Sequence, residues 1–152
     1  MSHGITVRTA TAEDADLLAQ FNVRMADETE GKTLDSETVR AGVQALFDDP
    51  SRGFYLVAVR GEEVVGSLMI TPEWSDWRNG AFWWIQSVYV QPEARRAGVY
   101  RALHHAVRKR AEATEDVCGL RLYVERGNEA ARETYEALGM TETSYRMYEE
   151  ML

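Results

Sequence analysis

Cysteine is almost absent from this chain: Cys118 is the single one among 152 residues. One thiol excludes an internal disulfide, and such usage fits the reducing cytoplasm. Cys118 stands in an apolar stretch just before a strand pattern, where it reads as a small core or near-core residue rather than a nucleophile. Histidine is scarce as well. His3, His104 and His105 do not make a metal site, because adjacent helical positions point about 100° apart and no cysteine or carboxylate sits beside them at ligand spacing. No apolar run approaches the roughly 18 residues of a membrane span. Met1-Ser2-His3-Gly4 lacks a basic region leading into an apolar core, so no secretory signal is expected. Positive charge is the minority sign. Seventeen Lys and Arg against 25 Asp and Glu give a net charge of −8, which opposes duplex nucleic acid and anionic membranes and favours cationic ligands.

What is present suits one globular domain over residues 1–152, with 45% hydrophobic and 10% aromatic residues and no repeat, linker or low-complexity tract. Ile5-Thr6-Val7-Arg8 alternates like a strand. Thr11 with Asp14 opens a helix carrying Leu17, Leu18, Phe21 and Met25 at helical spacing. That helix closes on Asp27, Glu28, Glu30 and Gly31, acidic residues at the end where the helix dipole prefers cations, which points to a second role there. A second helix starts near Asp35-Ser36 and stops before Pro50. Phe54–Val59 and Val64–Thr71 form a hairpin around Gly61-Glu62, and residues 72–80 read as a loop rich in aromatic and charged side chains. Phe82–Val90 is a strand, Gly98 to about Ala113 a helix, and Leu120–Val124 a strand. Asn128 caps a short helix with Ala131, Tyr135 and Leu138 on one face, ended by Gly139. A last strand is expected through Tyr145, Met147 and Tyr148. The order β-α-α-β-β-β-α-β-α-β argues for an α/β or α+β sheet with helices on both faces.

The run from Gln91 through Arg95, Arg96, Ala97, Gly98, Val99 and Tyr100 to Leu103 joins a strand to a helix. A helix N-terminus offers unpaired N–H groups and partial positive charge, a natural seat for phosphate. Arg95 and Arg96 add full charge there, and glycine removes a side chain where a ligand would approach the backbone. Taken alone, the run reads equally well as a surface turn before an ordinary helix.

Three segments in order carry a family resemblance. Val88-Tyr89-Val90-Gln91-Pro92 leading into Arg95-Arg96-Ala97-Gly98-Val99 is similar to the R/Q-x-x-G-x-G/A loop of the GNAT superfamily of acetyl-CoA-dependent N-acetyltransferases. Leu120–Val124 resembles that family's next strand. Asn128-Glu129-Ala130-Ala131-Arg132-Glu133-Thr134-Tyr135-Glu136-Ala137-Leu138-Gly139-Met140 resembles its N-x-x-A-x-x-x-Y-x-x-x-G-F/M pattern. One position departs, since Tyr100 stands where the family has a second small residue.

The resemblance implies a mixed, mostly antiparallel sheet flanked by helices, the acyl-CoA N-acyltransferase fold. It implies direct attack of an amine on the thioester of acetyl-CoA, with no metal. Backbone amides of Arg96 to Tyr100 would seat the pyrophosphate, and the backbone of Val88, Tyr89 and Val90 would pair with the pantetheine arm. Asn128 would lie beside that arm. Tyr135 falls at the position of the general acid; a phenol, with its ordinary pKa near 10, keeps its proton at neutral pH and can give it to a thiolate. The base stays open between Gln86, which could orient a water, and Glu73, Asp76 or Glu125. For the acceptor, Glu28 with Trp74, Asp76 and Trp77 mixes carboxylates and indoles as a small cationic amine would require. Two alternatives to a small-molecule enzyme are an acetyltransferase of protein lysines or N-termini and a non-catalytic acyl-CoA-binding module. A homodimer in the cytoplasm, without nucleic-acid or membrane partners, completes the expectation.

Overall fold

The computed structural model describes residues 4–152; His3 lies outside them. Strand β1 (Ile5–Thr9) is followed by a short 3₁₀ turn and helix α1 (Ala15–Glu30). The expected capping box of Thr11 and Asp14 forms, with the Thr11 N–H donating to Asp14 Oδ2 at 2.8 Å. Arg8 holds the same carboxylate, and its hydrogen bond is the main cause that lowers the Asp14 pKa. Helix α2 (Ser36–Asp48) begins at Asp35, whose carboxylate accepts the Thr38 N–H. Then come β2 (Phe54–Arg60), β3 (Glu63–Ser75), β4 (Gly80–Val90), α3 (Val99–Glu112), β5 (Val117–Leu122) and α4 (Glu129–Ala137).

The five strands lie in the order β1-β2-β3-β4-β5, antiparallel except for the β4–β5 pair. Alternation along each strand sends one set of side chains to each face. One face packs Leu56, Leu68, Ile70, Trp83 and Ile85 against Val99, Leu103 and Val107 of α3. The other packs Tyr55 and Val57 against Leu18, Ala19, Val43 and Leu46 of α1 and α2. The mixed sheet with helices on both faces is therefore as the sequence implies.

Three expectations change. The segment expected as a loop after Thr71 is extended through Ser75, with Glu73 opposite Phe82 and Ser75 opposite Gly80, leaving only Asp76–Asn79 as the turn. Proline is tolerated there because β2 pairing ends at Ile70, so Pro72 sits where β3 has an edge. The fifth strand starts at Val117, three residues earlier than expected, and it contains Cys118, which is exposed rather than in the core. The last strand is not formed within the sheet: residues 145–152 are unpaired, and Tyr145 and Tyr148 are 76% and 94% exposed.

Candidate active site

The site grows out of a break in β4. From Ala81 to Ile85 this strand pairs with β5, whose ladder ends at Leu122. Strand β4 runs on to Val90, so its last residues have no β5 partner and the two strands separate. The separation coincides with a bulge: Ser87 has φ 51°, and two residues, Ser87 and Val88, face the single Leu68 between the pairs Met69–Gln86 and Ser67–Tyr89. A bulge bends its strand and shifts the alternation by one. Gln86 before it and Tyr89 after it therefore lie on the same face of the sheet.

Tyr89 is 4% exposed and meets Phe21 of α1 at a ring separation of 5.0 Å. Its hydroxyl donates to Glu28 at 2.6 Å, and Arg95 donates to the same carboxylate at 2.7 Å. Arg95 also donates to the Val90 carbonyl at 2.9 Å and lies over the Tyr89 ring. The Tyr89 hydrogen bond first, and Arg95 second, hold the Glu28 carboxyl below its usual range. The acidic end of α1 thus has its second role, which is to anchor the strand-to-helix loop. Arg95 is a brace of that loop, and Glu28 is engaged rather than open to a ligand.

The loop itself alternates in handedness. Arg96 has φ 63° and Gly98 has φ 80°, the region in which glycine carries no strain. A Cβ at Gly98 would meet nothing within 4 Å, so conformation and not crowding selects glycine here. From Arg96 to Arg101 no backbone N–H finds an acceptor among the described residues. These donors start α3, whose first turn has no acidic residue. They face a cleft of about 560 Å³ lined by Arg96, Gly98, Tyr100, Arg101, Thr134 and Leu138 among others. Arg96 and Arg101 are exposed and form no ion pair among the described residues. Arg101 is a cationic lining residue that the motif did not mark, because it stands inside the helix pattern beyond the loop. Val88 and Val90 pack partly buried against the α3 side of the core, so only their backbone is open to recruitment.

Across the cleft, α4 begins at Asn128, whose side chain accepts the Ala131 N–H at 3.1 Å. Tyr135 meets Tyr100 edge-on with ring centroids 5.6 Å apart, and burial raises its pKa. The Tyr100 side chain turns inward to His104, 3.0 Å from hydroxyl to Nδ1, and burial pushes its pKa up. The family's small residue is thus replaced without blocking the backbone donors.

His104 is 1% exposed, and its Nε2 has no partner. Burial, then the nearby Arg108, lowers its pKa to about 4. Unfolding restores a value near 6.5. The unfolded chain therefore binds a proton that the native protein refuses between these values. The contribution of His104 to stability is complete above pH 6.5 and falls as the pH drops toward 4. Urea melts of the wild type and His104→Gln should show a smaller loss of stability between pH 6.5 and pH 4.5 in the variant. An identical loss in both would place the acid sensitivity elsewhere.

On the opposite face of β4, Gln86 donates to the Thr71 hydroxyl. Glu73 accepts from Trp84 Nε1 at 3.2 Å and from Arg121 at 3.0 Å, a clamp across β3, β4 and β5 that occupies its carboxylate. Trp84 stacks on Tyr123 at 4.5 Å. Glu125 is exposed on the loop after β5, where its side chain makes no hydrogen bond among the described residues. Trp74, Asp76 and Trp77 project from the β3–β4 hairpin, Trp77 with 87% of its surface exposed. Glu28, bound to Tyr89, lies at the other end of β4, roughly 30 Å away at about 3.4 Å per residue. The four residues expected to meet the acceptor are therefore not brought together. Thr71, Trp84 and Tyr123, which flank Gln86 on this face, carried no motif and looked like strand residues in sequence.

The family model for the acetyltransferase (GNAT) family matches residues 18–140. This chain belongs to the GNAT acetyltransferase family. The structure of a possible acetyltransferase from Clostridium difficile 630 is similar over 97% of both chains, at 46% identity and a TM-score of 0.91. A probable acetyltransferase matches over 97% of both chains at 25% identity and 0.84. A predicted acetyltransferase from Clostridium acetobutylicum, whose structure is with acetyl-CoA, shares the fold at 14% identity and 0.78 over 96% of both chains. A search of curated proteins finds no match. No helix of this acetyltransferase, among the described residues, is long and apolar enough to cross a membrane.

Proposed function

We propose that this GNAT acetyltransferase moves an acetyl group from acetyl-CoA to the primary amine of a small cationic molecule by direct attack. The observation that carries this reading is the run of unpaired N–H groups from Arg96 to Arg101 at the mouth of a cleft roofed by α4. Such a run with a helix dipole behind it fits a pyrophosphate, and Arg96 and Arg101 supply matching charge. Acetyl-CoA bound there supplies the activated acetyl thioester. The parted end of β4 offers its backbone to the pantetheine arm, and the amide near Val90 serves as donor to the thioester carbonyl; such a donor contributes a few kcal/mol where charge develops. Tyr135 holds the proton for the departing sulfur. Gln86, with its amide on Thr71, keeps its carbonyl oxygen for a water that takes the proton from the amine.

The acceptor side of this reading rests on the net charge of −8 and on the Trp84–Tyr123 stack beside Gln86. Aromatic faces attract cations by roughly 0.5–2 kcal/mol, about two- to thirty-fold in binding. Thiol release from acetyl-CoA should rise with diamines and other cationic amines, with kcat/KM above that for neutral amines of the same size. A preference for acidic or neutral amines would remove the cationic acceptor. Saturable acetyl-CoA binding with no turnover on any amine would make the chain a binding module instead. We assign this activity to the cytoplasm.

A further inference from the structure

Helix α4 carries Tyr135 and is lightly held. None of its residues is fully buried, and neither core cluster includes one. Among the described residues, α3 reaches α4 by ring contact or hydrogen bond at its two ends. Tyr100 meets the Tyr135 ring edge-on at 5.6 Å, and Arg108 donates to the Leu138 carbonyl where α4 stops. Midway between these two on α3 stands His104. Residues four apart share a helix face, so Tyr100, His104 and Arg108 form one stripe turned toward α4.

His104 is out of place in such a stripe. It is buried, its Nδ1 shares a hydrogen bond with the Tyr100 hydroxyl at 3.0 Å, and its Nε2 has no partner. A neutral imidazole carries its proton on one nitrogen, so Nε2 is either an unsatisfied donor or an unsatisfied acceptor. Both are a cost to folding that an apolar side chain would not bring. Tyr100 is the second oddity, a large residue where the family resemblance calls for a small one. The two are bonded to each other. His104 fixes the hydroxyl end of Tyr100, and the Tyr100 ring meets Tyr135. A polar pair that costs stability and leads to that phenol is explained by position rather than by packing.

We propose that Tyr100 and His104 are positioning residues for the general acid, their hydrogen bond locking the Tyr100 ring as the surface that sets Tyr135 against the cleft. This rests on the reading of Tyr135 as the acid. The proton still passes from Tyr135 to the departing sulfur, and neither Tyr100 nor His104 exchanges one. A proton donor works only within hydrogen-bond reach of the atom that receives it, about 2.6–3.2 Å. A misplacement of about 1 Å can lower the rate roughly 100-fold. A helix with no fully buried residue does not supply that precision alone, whereas a ring pinned at its far end by a buried imidazole does. Burial, then Arg108, keeps His104 neutral, so the pair adds no charge beside the phenol.

Tyr100→Phe/His104→Leu removes the hydrogen bond and the orphan nitrogen together, so the thermal midpoint should hold or rise. Its kcat should nevertheless fall by roughly 10- to 100-fold, with the KM for acetyl-CoA unchanged. In a Tyr135→Phe background the same pair should lower kcat no further, because it acts through the phenol. His104→Asn keeps a polar atom near the place of Nδ1 and should retain more of the rate than His104→Leu. If the double variant does not fold, Tyr100→Phe alone, which keeps the ring, carries the same test. Wild-type kcat would overturn the proposal, as would an equal fall with and without the Tyr135 hydroxyl. A raised KM at unchanged kcat would make the pair a support of the cofactor seat, and a parallel loss of midpoint and kcat would make it packing; both overturn it. Should Tyr135→Phe itself keep full activity, the acid reading falls separately. Position is then read with fluorotyrosine in place of tyrosine: the fluorine line that Tyr135→Phe removes should broaden in the double variant, and a line as sharp as in the wild type would end the positioning role too.

Discussion

Tyr135→Phe is expected to lower kcat by a factor of about 10²–10⁴, the range for loss of a positioned general acid, while the KM for acetyl-CoA stays near its wild-type value. The substitution removes one oxygen and keeps the ring, so the edge-on contact with Tyr100 survives and the thermal midpoint should move little. Burial raises the Tyr135 pKa, so the phenol carries its proton throughout the neutral range. Steady-state kinetics with acetyl-CoA and a responsive amine, beside a thermal melt, check this. Full activity in the variant would take the acid role away from Tyr135. A parallel loss of kcat and midpoint would make it a packing residue.

Phe21→Ala should cost about 3–5 kcal/mol, the usual price of deleting a fully buried phenyl ring. Phe21 is 0% exposed and lies against Tyr89. For a chain of this length each kcal/mol shifts the midpoint by roughly 2–4 °C, so the melt should fall by roughly 6–20 °C. The variant also tests the coupling of core to site. Tyr89 positions Glu28, and Glu28 holds Arg95 at the phosphate-seat loop. A folded Phe21→Ala protein, assayed well below its midpoint, should therefore show a raised KM for acetyl-CoA. A destabilised protein with an unchanged KM would mean that Arg95 holds its place without this support.

Much of this was readable in the residues. Asn128, Tyr135 and Gly139 carried local physics in their identities: a cap, a helical stripe and a helix end of positive φ. Gly98 reads in sequence as room for a ligand, whereas its φ of 80° shows that conformation selects it. The periodicity of Leu18, Phe21, Val43 and Leu46 gave both helices of one face. Glu28 was marked as anomalous by its acidity at a helix end, although its partners were not visible, because Tyr89 and Arg95 are more than sixty residues away. The hairpin beyond Thr71 is hidden in the sequence because Pro72, Asp76, Asn79 and Gly80 are turn-forming types; the ladder with β4 overrides them through Ser75. Gathering Glu28 with Trp74–Trp77 failed for a simpler reason. Charge and aromaticity say what a pocket would need, whereas distance along β4 decides which residues can share one. The segment through Tyr145, Met147 and Tyr148 has the composition of a strand, but composition supplies no ladder, and among the described residues it is in none.

The bulge at Ser87 has a consequence for how this protein can change over evolutionary time. Its backbone occupies one extra step opposite Leu68, and everything after that step is turned over. A one-residue deletion there would remove the extra step and leave Tyr89 opposite Ser67, still facing α1, with Val90 still on the α3 side. Leu68, Phe21 and Glu28 would all remain in place, yet the wedge between β4 and β5 would lose the kink that accompanies it. Substitutions at Ser87 explore a continuous range of side chains on a fixed frame. Length changes do not. A lineage can drift freely in its acceptor-side residues, but at this one position insertion and deletion act as a discrete choice between a sheet that opens and one that closes.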